Sequence, residues 1–267
     1  MLRWNAVLLL LFSNVAVLRA GEPLFVPHGA SSMGMAFAVT ATPGHWNCFH
    51  NQALLVDAPA TGFSFGLENR FMIPALSSKG VSAVVAFKPA PIGFVATHYG
   101  NADYFRVFTG LGSAVRLTEA VALGVQVDYI SERGAGDYRD VSHVTFETGM
   151  TCLISPSLTF GVHLFNPLAP LNTLPSSVDA GLNWQQSGEL ALTLTGSKVS
   201  KEPLSVQGGI SWNIKQRLTL RTGYMSSPSA FALGIGVKTG SLEADAGFLL
   251  NSITGLTSAV SVTWSIR

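Results

Sequence analysis

The chain has 267 residues, a mean hydropathy of +0.36 and only 12% charged residues. A soluble domain carries roughly 25% charge and a disordered chain combines high charge with low hydrophobicity, so the choice narrows to a membrane protein or an unusually apolar β-rich soluble one. A formal net charge of +1 with no basic cluster excludes the electrostatic footprint of a nucleic-acid binder, and two distant cysteines, Cys48 and Cys152, exclude a disulfide scaffold.

Residues 1–20 open with Arg3, continue through an apolar stretch to Leu18, and end on Ala20. This pattern predicts a secretory signal peptide, the alternative being a short membrane anchor. Its removal takes away Arg3 and Arg19 and turns the net charge from +1 to −1. Residues 21–60 do not alternate, yet they carry Met33, Met35, Phe37, Trp46, Phe49, Leu54 and Leu55. The expectation is an N-terminal hatch with short helices near 31–38 and 50–56, folded inside or under the body that residues 61–267 form. The alternative is a periplasmic extension.

From residue 61 onward the pattern has a period of two. In 204–214, Leu204, Val206, Ile210, Trp212 and Ile214 share one face, while Ser205, Gln207, Ser211 and Asn213 share the other. Such alternation marks a strand between two environments. About fourteen such segments of roughly 9–14 residues succeed one another, longer than ordinary strands and matched to tilted membrane-spanning ones. They fall near 61–73, 80–88, 92–100, 104–117, 120–131, 141–154, 157–166, 178–186, 189–198, 204–214, 217–226, 229–238, 241–250 and 256–266. A soluble sandwich would also alternate. Here, however, the polar faces are mostly Gly, Ser, Thr, Ala and Asn rather than Lys and Glu, and the apolar faces are nearly continuous. The predicted fold is all-β: an antiparallel transmembrane β-barrel of about fourteen strands (61–267) closed around the hatch (21–60).

Connections after even strands are short, and several after odd strands (74–79, 132–140, 167–177) are longer. The short turns, and hence both barrel termini, are expected on the periplasmic side of a bacterial outer membrane. Trp184, Trp212 and Trp264 fall near the short-turn ends, and Tyr104, Tyr129 and Tyr224 near the other, as interfacial girdles do.

Enzyme-like motifs carry little. Gly62-Phe63-Ser64-Phe65-Gly66 matches G-x-S-x-G but lies in an alternating strand, not on a strand-to-helix elbow. His45, Cys48 and His50 are ligand types without the spacing of a zinc site. No catalytic residue, cofactor or metal is expected. The strand pattern turns Glu68, Arg70, Lys88, Asp128, Glu147, Asp179, Arg221, Lys238, Glu243 and Asp245 into the lumen. A channel for ions of one sign lines its wall with one sign. Mixed signs suit salt bridges holding a hatch, with a solute-binding site as the sharper alternative. Two loops are candidate contact surfaces: 132–140, with Glu132, Arg133, Asp137, Tyr138, Arg139 and Asp140, and the apolar 167–177, with Leu168, Leu171 and Leu174. A solvated tip and folding over the barrel mouth are the respective alternatives.

With these segments in place, 29–57 (GASSMGMAFAVTATPGHWNCFHNQALLVD) resembles the opening motif of the PorV/PorQ branch of FadL-like outer-membrane proteins. The match rests on Gly29, Ala30, Gly34, Met35, Ala36, Phe37, Asn51, Ala53 and Leu54, and departs at Gln52, where the branch usually has Pro. Segments 99–130 and 218–248 resemble its strand pattern. The resemblance implies a fourteen-stranded barrel with a lumen hatch in outer-membrane lipid, and a non-enzymatic accessory role in surface-protein export or envelope assembly, with a secretion complex or its cargo as partner. The alternative it implies is a FadL-like transporter of small hydrophobic solutes. At its length the chain is small for either group.

Overall fold

The computed structural model describes residues 29–58, 60–136, 140–167 and 174–266. The expected signal peptide lies outside these residues. Fourteen strands come after the hatch: β1 Thr61–Asn69, β2 Ser77–Val85, β3 Ile92–Gly100, β4 Tyr104–Arg116, β5 Val121–Gly134, β6 Val141–Ser155, β7 Leu158–Phe165, β8 Ser177–Gln185, β9 Leu190–Val199, β10 Ser205–Ile214, β11 Leu218–Ser226, β12 Ser229–Thr239, β13 Leu242–Asn251 and β14 Gly255–Ile266. Each pairs antiparallel with its neighbour in sequence, and β1 pairs with β14 from Thr61↔Ile266 to Asn69↔Ser258, closing the barrel. Closure leaves no unpaired edge, the condition for a sheet in hydrocarbon.

The period of two sets the faces. In β5, Ala122, Gln126, Asp128 and Ile130 are buried inward, while Val125, Val127 and Tyr129 are exposed outward. In β10, Ser205, Gln207 and Gly209 face in, and Val206, Ile210 and Trp212 face out. A wall with Phe63, Phe65, Phe94, Leu111, Phe231, Leu233 and Val262 bare is unfavourable in water. In lipid the same residues form the required apolar band.

Several strand ends differ from the sequence expectation, and at β1 and β2 the cause is plain. β1 stops at Asn69 rather than near 73, because Phe71 and Met72 enter the left-handed region (φ 56° and 59°) and a 3₁₀ turn over Arg70–Met72 breaks the alternation. A second turn, Pro74–Leu76, leads into β2, which ends at Val85 rather than near 88. Pro89 and Pro91 lie just beyond, and proline donates nothing to a ladder. At one rim the turns 117–120, 156–157, 186–189, 215–217 and 240–241 are short and 86–91 is longer; the opposite rim mixes short links, 101–103, 227–228 and 252–254, with the longer 70–76, 135–140 and 166–176.

Residues 29–57 occupy the barrel interior. A one-turn helix α1 (Ala30–Met33) packs on β12, β13 and β14, and a 3₁₀ segment Gln52–Asp57 packs on β4, β5 and β6. Ala30, Met33, Cys48, Leu54 and Leu55 are essentially inaccessible. Fully burying a side chain such as Met or Leu stabilises by about 1.5–3 kcal/mol, so this segment is held by a core it shares with the wall although it has no sheet.

Candidate functional site

The hatch is held in two different ways. Along β10–β14 it rests on glycines of the inner wall. A Cβ on Gly234 would lie 2.9 Å from the Cα of Gly34, one on Gly223 2.6 Å from the Met35 carbonyl carbon, and one on Gly247 would collide with the Ala30 oxygen. These are backbone-on-backbone contacts that no other residue type permits. Here α1 ends in a turn with Ala36 and Phe37 at positive φ (51° and 62°), which points the chain back across the lumen.

On the opposite side, amides clamp the hatch to β5–β8. Asn51 Nδ2 donates to the carbonyls of Thr40 (2.8 Å) and Met150 (3.3 Å), and its Oδ1 accepts from the Ala53 backbone N–H (3.1 Å). Gln52 Nε2 donates to Glu147 Oε2 (2.5 Å) and to the Cys48 carbonyl (3.1 Å). Glu147 Oε2 also lies 2.8 Å from His163 Nε2, and His163 Nδ1 lies 3.2 Å from Asp179 Oδ2. Gln126 Nε2 donates to Asp128 Oδ1 at 2.9 Å. Buried charge is costly unless paired and hydrogen-bonded: Glu147 has His163 and Gln52 as partners, while Asp128 Oδ2 is buried without a hydrogen-bond partner. Glycines matter here too: a Cβ on Gly124 would collide with the Ala53 nitrogen.

Between hatch and wall on this side runs an apolar seam. Val84 and Ala114 begin it near the short-turn rim, Val95 and Phe108 continue it, and Ile130, Phe165 and Leu174 end it toward the long-loop rim. The hatch covers it with Trp46, Cys48, Phe49 and Leu55. Phe49 stacks on Trp46 (centroids 5.9 Å apart) and meets Phe108 at a tilt (6.0 Å). Burial, with Glu147 and Asp128 nearby, pushes the Cys48 thiol far up, so it packs as a small hydrophobe.

Of the lumen charges expected from sequence, Glu68, Asp128, Glu147, Asp179, Arg221, Lys238, Glu243 and Asp245 stand on inward positions. Arg70 instead sits in the turn beyond β1, where its Nε reaches Glu68 at 2.8 Å. Lys88 is exposed in the turn after β2, since both strands end earlier than the pattern suggests. The pairs run mostly strand to strand: Arg221 to Asp245 (2.6 Å) and to Glu243 (3.7 Å), and Lys238 to Glu243 (3.7 Å). The expected role of pinning the hatch therefore passes to the glycine seats and the amide clamp. Arg116, joined to Asp57 at the rim, and Glu147 are wall charges that do meet the hatch.

Trp184, Trp212 and Trp264 are about half exposed at the short-turn rim, and Tyr129 and Tyr224 likewise at the other. The two Tyr hydroxyls meet Ser142 (3.1 Å) and Ser229 (3.2 Å) at the polar edge of the band. Tyr104 is different: its hydroxyl donates to Glu132 Oε2 (3.1 Å) beside the Arg106–Glu132 ion pair (2.7 Å). Glu132 and Arg133, expected in a loop, belong to β5, and Asp137, Tyr138 and Arg139 lie outside the described residues. Leu168 and Leu171 also lie outside them. Leu174 is not an exposed contact residue; it is buried in the seam, and its carbonyl accepts from Asn166 Nδ2 at 3.0 Å.

Ser64 sits mid-β1 with its hydroxyl 2.8 Å from Thr263 Oγ1, a wall position rather than a nucleophile's. His45 Nε2 reaches Ser265 Oγ (3.1 Å) and His50 Nε2 reaches Ser32 Oγ (2.9 Å), so these two imidazoles and Cys48 face different partners. Among the described residues no three His, Cys, Asp or Glu side chains converge on a metal position. Sequence reasoning missed His163, Arg106, Gln52 and Gln126. The alternation already turns His163 inward, but a charge inventory of acids, Lys and Arg passes over it.

The closed wall, apolar band and filled lumen define a membrane-spanning barrel of the bacterial outer-membrane kind. More particularly, the fold is the FadL-like one. No protein-family model matches the chain, and no curated protein does. Solved structures match closely in shape. A Pseudomonas aeruginosa FadL homologue aligns with a TM-score of 0.68 at 10% identity, over 91% of this chain and 99% of that one. The Ralstonia pickettii toluene transporter TbuX gives 0.71 at 11%, over 90% and 98%, and the P. putida toluene transporter TodX 0.67 at 11%, over 90% and 98%. At these identities the likeness is one of fold.

Proposed function

We propose that the protein is a non-enzymatic, hatch-gated outer-membrane channel for small hydrophobic solutes. The observation that carries this reading is the apolar seam from Val84 and Ala114 to Phe165 and Leu174, covered by Trp46, Phe49 and Leu55. A polar or ionic solute finds no partners along it. A hydrophobic one exchanges one apolar contact for another, at little cost once the hatch side chains swing aside. The fold shared with two toluene transporters supports the same reading. The short-turn rim, with its three Trp, faces the periplasm in this proposal.

The PorV/PorQ-like accessory role has less behind it. Its expected contact surface is loop 167–177, and the one described leucine of the three, Leu174, is buried.

Uptake of a small aromatic hydrocarbon by cells expressing the full chain tests the proposal. Phe49→Asp in the seam should abolish uptake while the barrel keeps its heat-dependent gel mobility. Uptake no faster than in cells lacking the protein would overturn the channel reading. A stoichiometric protein partner recovered in mild detergent, without uptake, would favour the accessory role instead.

A further inference from the structure

Gln52 is buried between hatch and wall, and it is the residue at which the sequence departs from the opening motif it resembles. We propose that Gln52 is the latch of the seam: its amide holds the covering segment 48–55 against Glu147, and loss of that bond lets the cover lift. The proposal rests on the channel reading and names a positioning residue for it.

Placement is the first argument. Gln52 Nε2 donates to two acceptors, Glu147 Oε2 on β6 and the Cys48 carbonyl one turn earlier in the hatch. Cys48 and Leu55, on either side of it in the chain, both belong to the cover. They meet at one point of the wall: a Cβ on Gly93 would collide with Cys48 Sγ and lie 3.1 Å from both Leu55 methyl carbons. One amide thus joins the start of the cover to its middle, and both to a charged group of the wall. Two other polar ties of this segment are weaker. Asn51 Nδ2 reaches the Met150 carbonyl only at 3.3 Å, and the Arg116–Asp57 ion pair is exposed at the rim, where water screens it.

The backbone is the second. Gln52 opens the 3₁₀ segment Gln52–Asp57, and the cap is made by the Asn51 side chain. A first helical position accepts even proline, because its N–H has no partner within the helix. The Gln52 side chain is therefore not needed to form the segment; what it adds is the tie.

Third, the latch is set to release. Gln52 Oε1, Gln126 Oε1 and Asp128 Oδ2 are buried without hydrogen-bond partners. All three belong to side chains around Glu147: Gln52 bonds it, Gln126 is its ladder partner on β5, and Gln126 bonds Asp128. A buried acceptor left unsatisfied costs free energy that water restores on exposure. Lifting the cover breaks one strong bond and lets water reach these oxygens, so the closed seam is held against a tendency to open.

The test reads opening without any solute. The chain has two cysteines, so in a Cys152→Ser background Cys48 alone reports, and it is completely buried while the seam is covered. The rate at which N-ethylmaleimide labels Cys48, in the full chain in mild detergent, measures how often the cover lifts. Gln52→Glu sets a second carboxylate against Glu147 and should speed labelling about tenfold, as loss of a hydrogen bond to a charged group predicts. Gln52→Pro, which keeps the turn and removes the amide, should speed it as well. The double variant Gln52→Glu/Glu147→Gln restores the bond with donor and acceptor exchanged and should return the rate toward that of the intact protein. Unchanged heat-dependent mobility of each variant verifies the barrel. If neither single variant labels faster than the intact protein, or the double variant labels as fast as Gln52→Glu, the latch is refuted. The expected labelling pattern without solute uptake in any variant supports the latch and overturns the channel reading alone.

Discussion

The two sides of the hatch are fastened by different mixtures of contacts. Toward β11–β14, Gly34, Met35 and Ala30 press their backbones into Gly234, Gly223 and Gly247. Toward β3–β8 side chains do most of the fastening, in the seam and in the Asn51–Gln52 clamp, beside backbone seats at Gly124 and Gly161. Backbone seated in a glycine niche has no rotamer to change, so any sliding produces a clash. Aromatic rings along a seam can turn without moving the chain. If the barrel opens as proposed, the first half of the hatch is the anchor and the second half is the part to yield.

The sharpest way to break this contrast is at the clamp. His163→Ala leaves the buried Glu147 and the part-buried Asp179 without the imidazole between them. Breaking a buried charged pair costs about 3–5 kcal/mol, so the thermal midpoint of the barrel should fall more than for any seam substitution. An unchanged midpoint would mean that the clamp is incidental.

The anchor side is tested by Gly234→Val, whose side chain would meet Gly34 Cα with no flexible atom to give way. Overpacking costs about 1–3 kcal/mol. The hatch should lift, and planar-bilayer conductance should rise above that of the intact protein. If conductance stays at the intact level, α1 is not what seals this half.

The smallest effect concerns His45, which lies where the halves join. Burial lowers its pKa from the ordinary 6.5, with Glu243 opposing and Lys238 adding to the shift. Its Nδ1 is buried without a hydrogen-bond partner, against Gly62. Above pH 6.5 the imidazole is neutral whether the hatch is seated or released. Below it, the released form takes up a proton that the seated form resists, so seating weakens as pH falls. Protease access to residues 29–58 should increase on acidification below that pH, and His45→Gln should flatten the response.

Much of the wall was legible in the sequence because a period of two survives any error in strand ends. Val125, Val127 and Ile210 can only face lipid once Gln126, Asp128 and Gln207 face in. The same pattern says nothing of where pairing stops, which is why it places Arg70 and Lys88 in the lumen. It also cannot distinguish a small residue facing in from a niche. Gly234 reads the same in either role until Gly34, far earlier in the chain, is laid against it. For Leu174, hydrophobicity without periodicity leaves two outcomes, and the neighbouring Phe165 and Asn166 decide for burial.

The pairing of Thr61 with Ile266 has a consequence for how the molecule is made. The hatch precedes the first staves of this cask, and the last stave is the one that seals it. Contents that touch nearly every stave are most simply loaded before the hoop is tightened. An arrested chain lacking β14 would leave β1 and β13 as open edges with the contents exposed. The order of synthesis thereby becomes an order of packing, with the filling in place before the wall around it is closed.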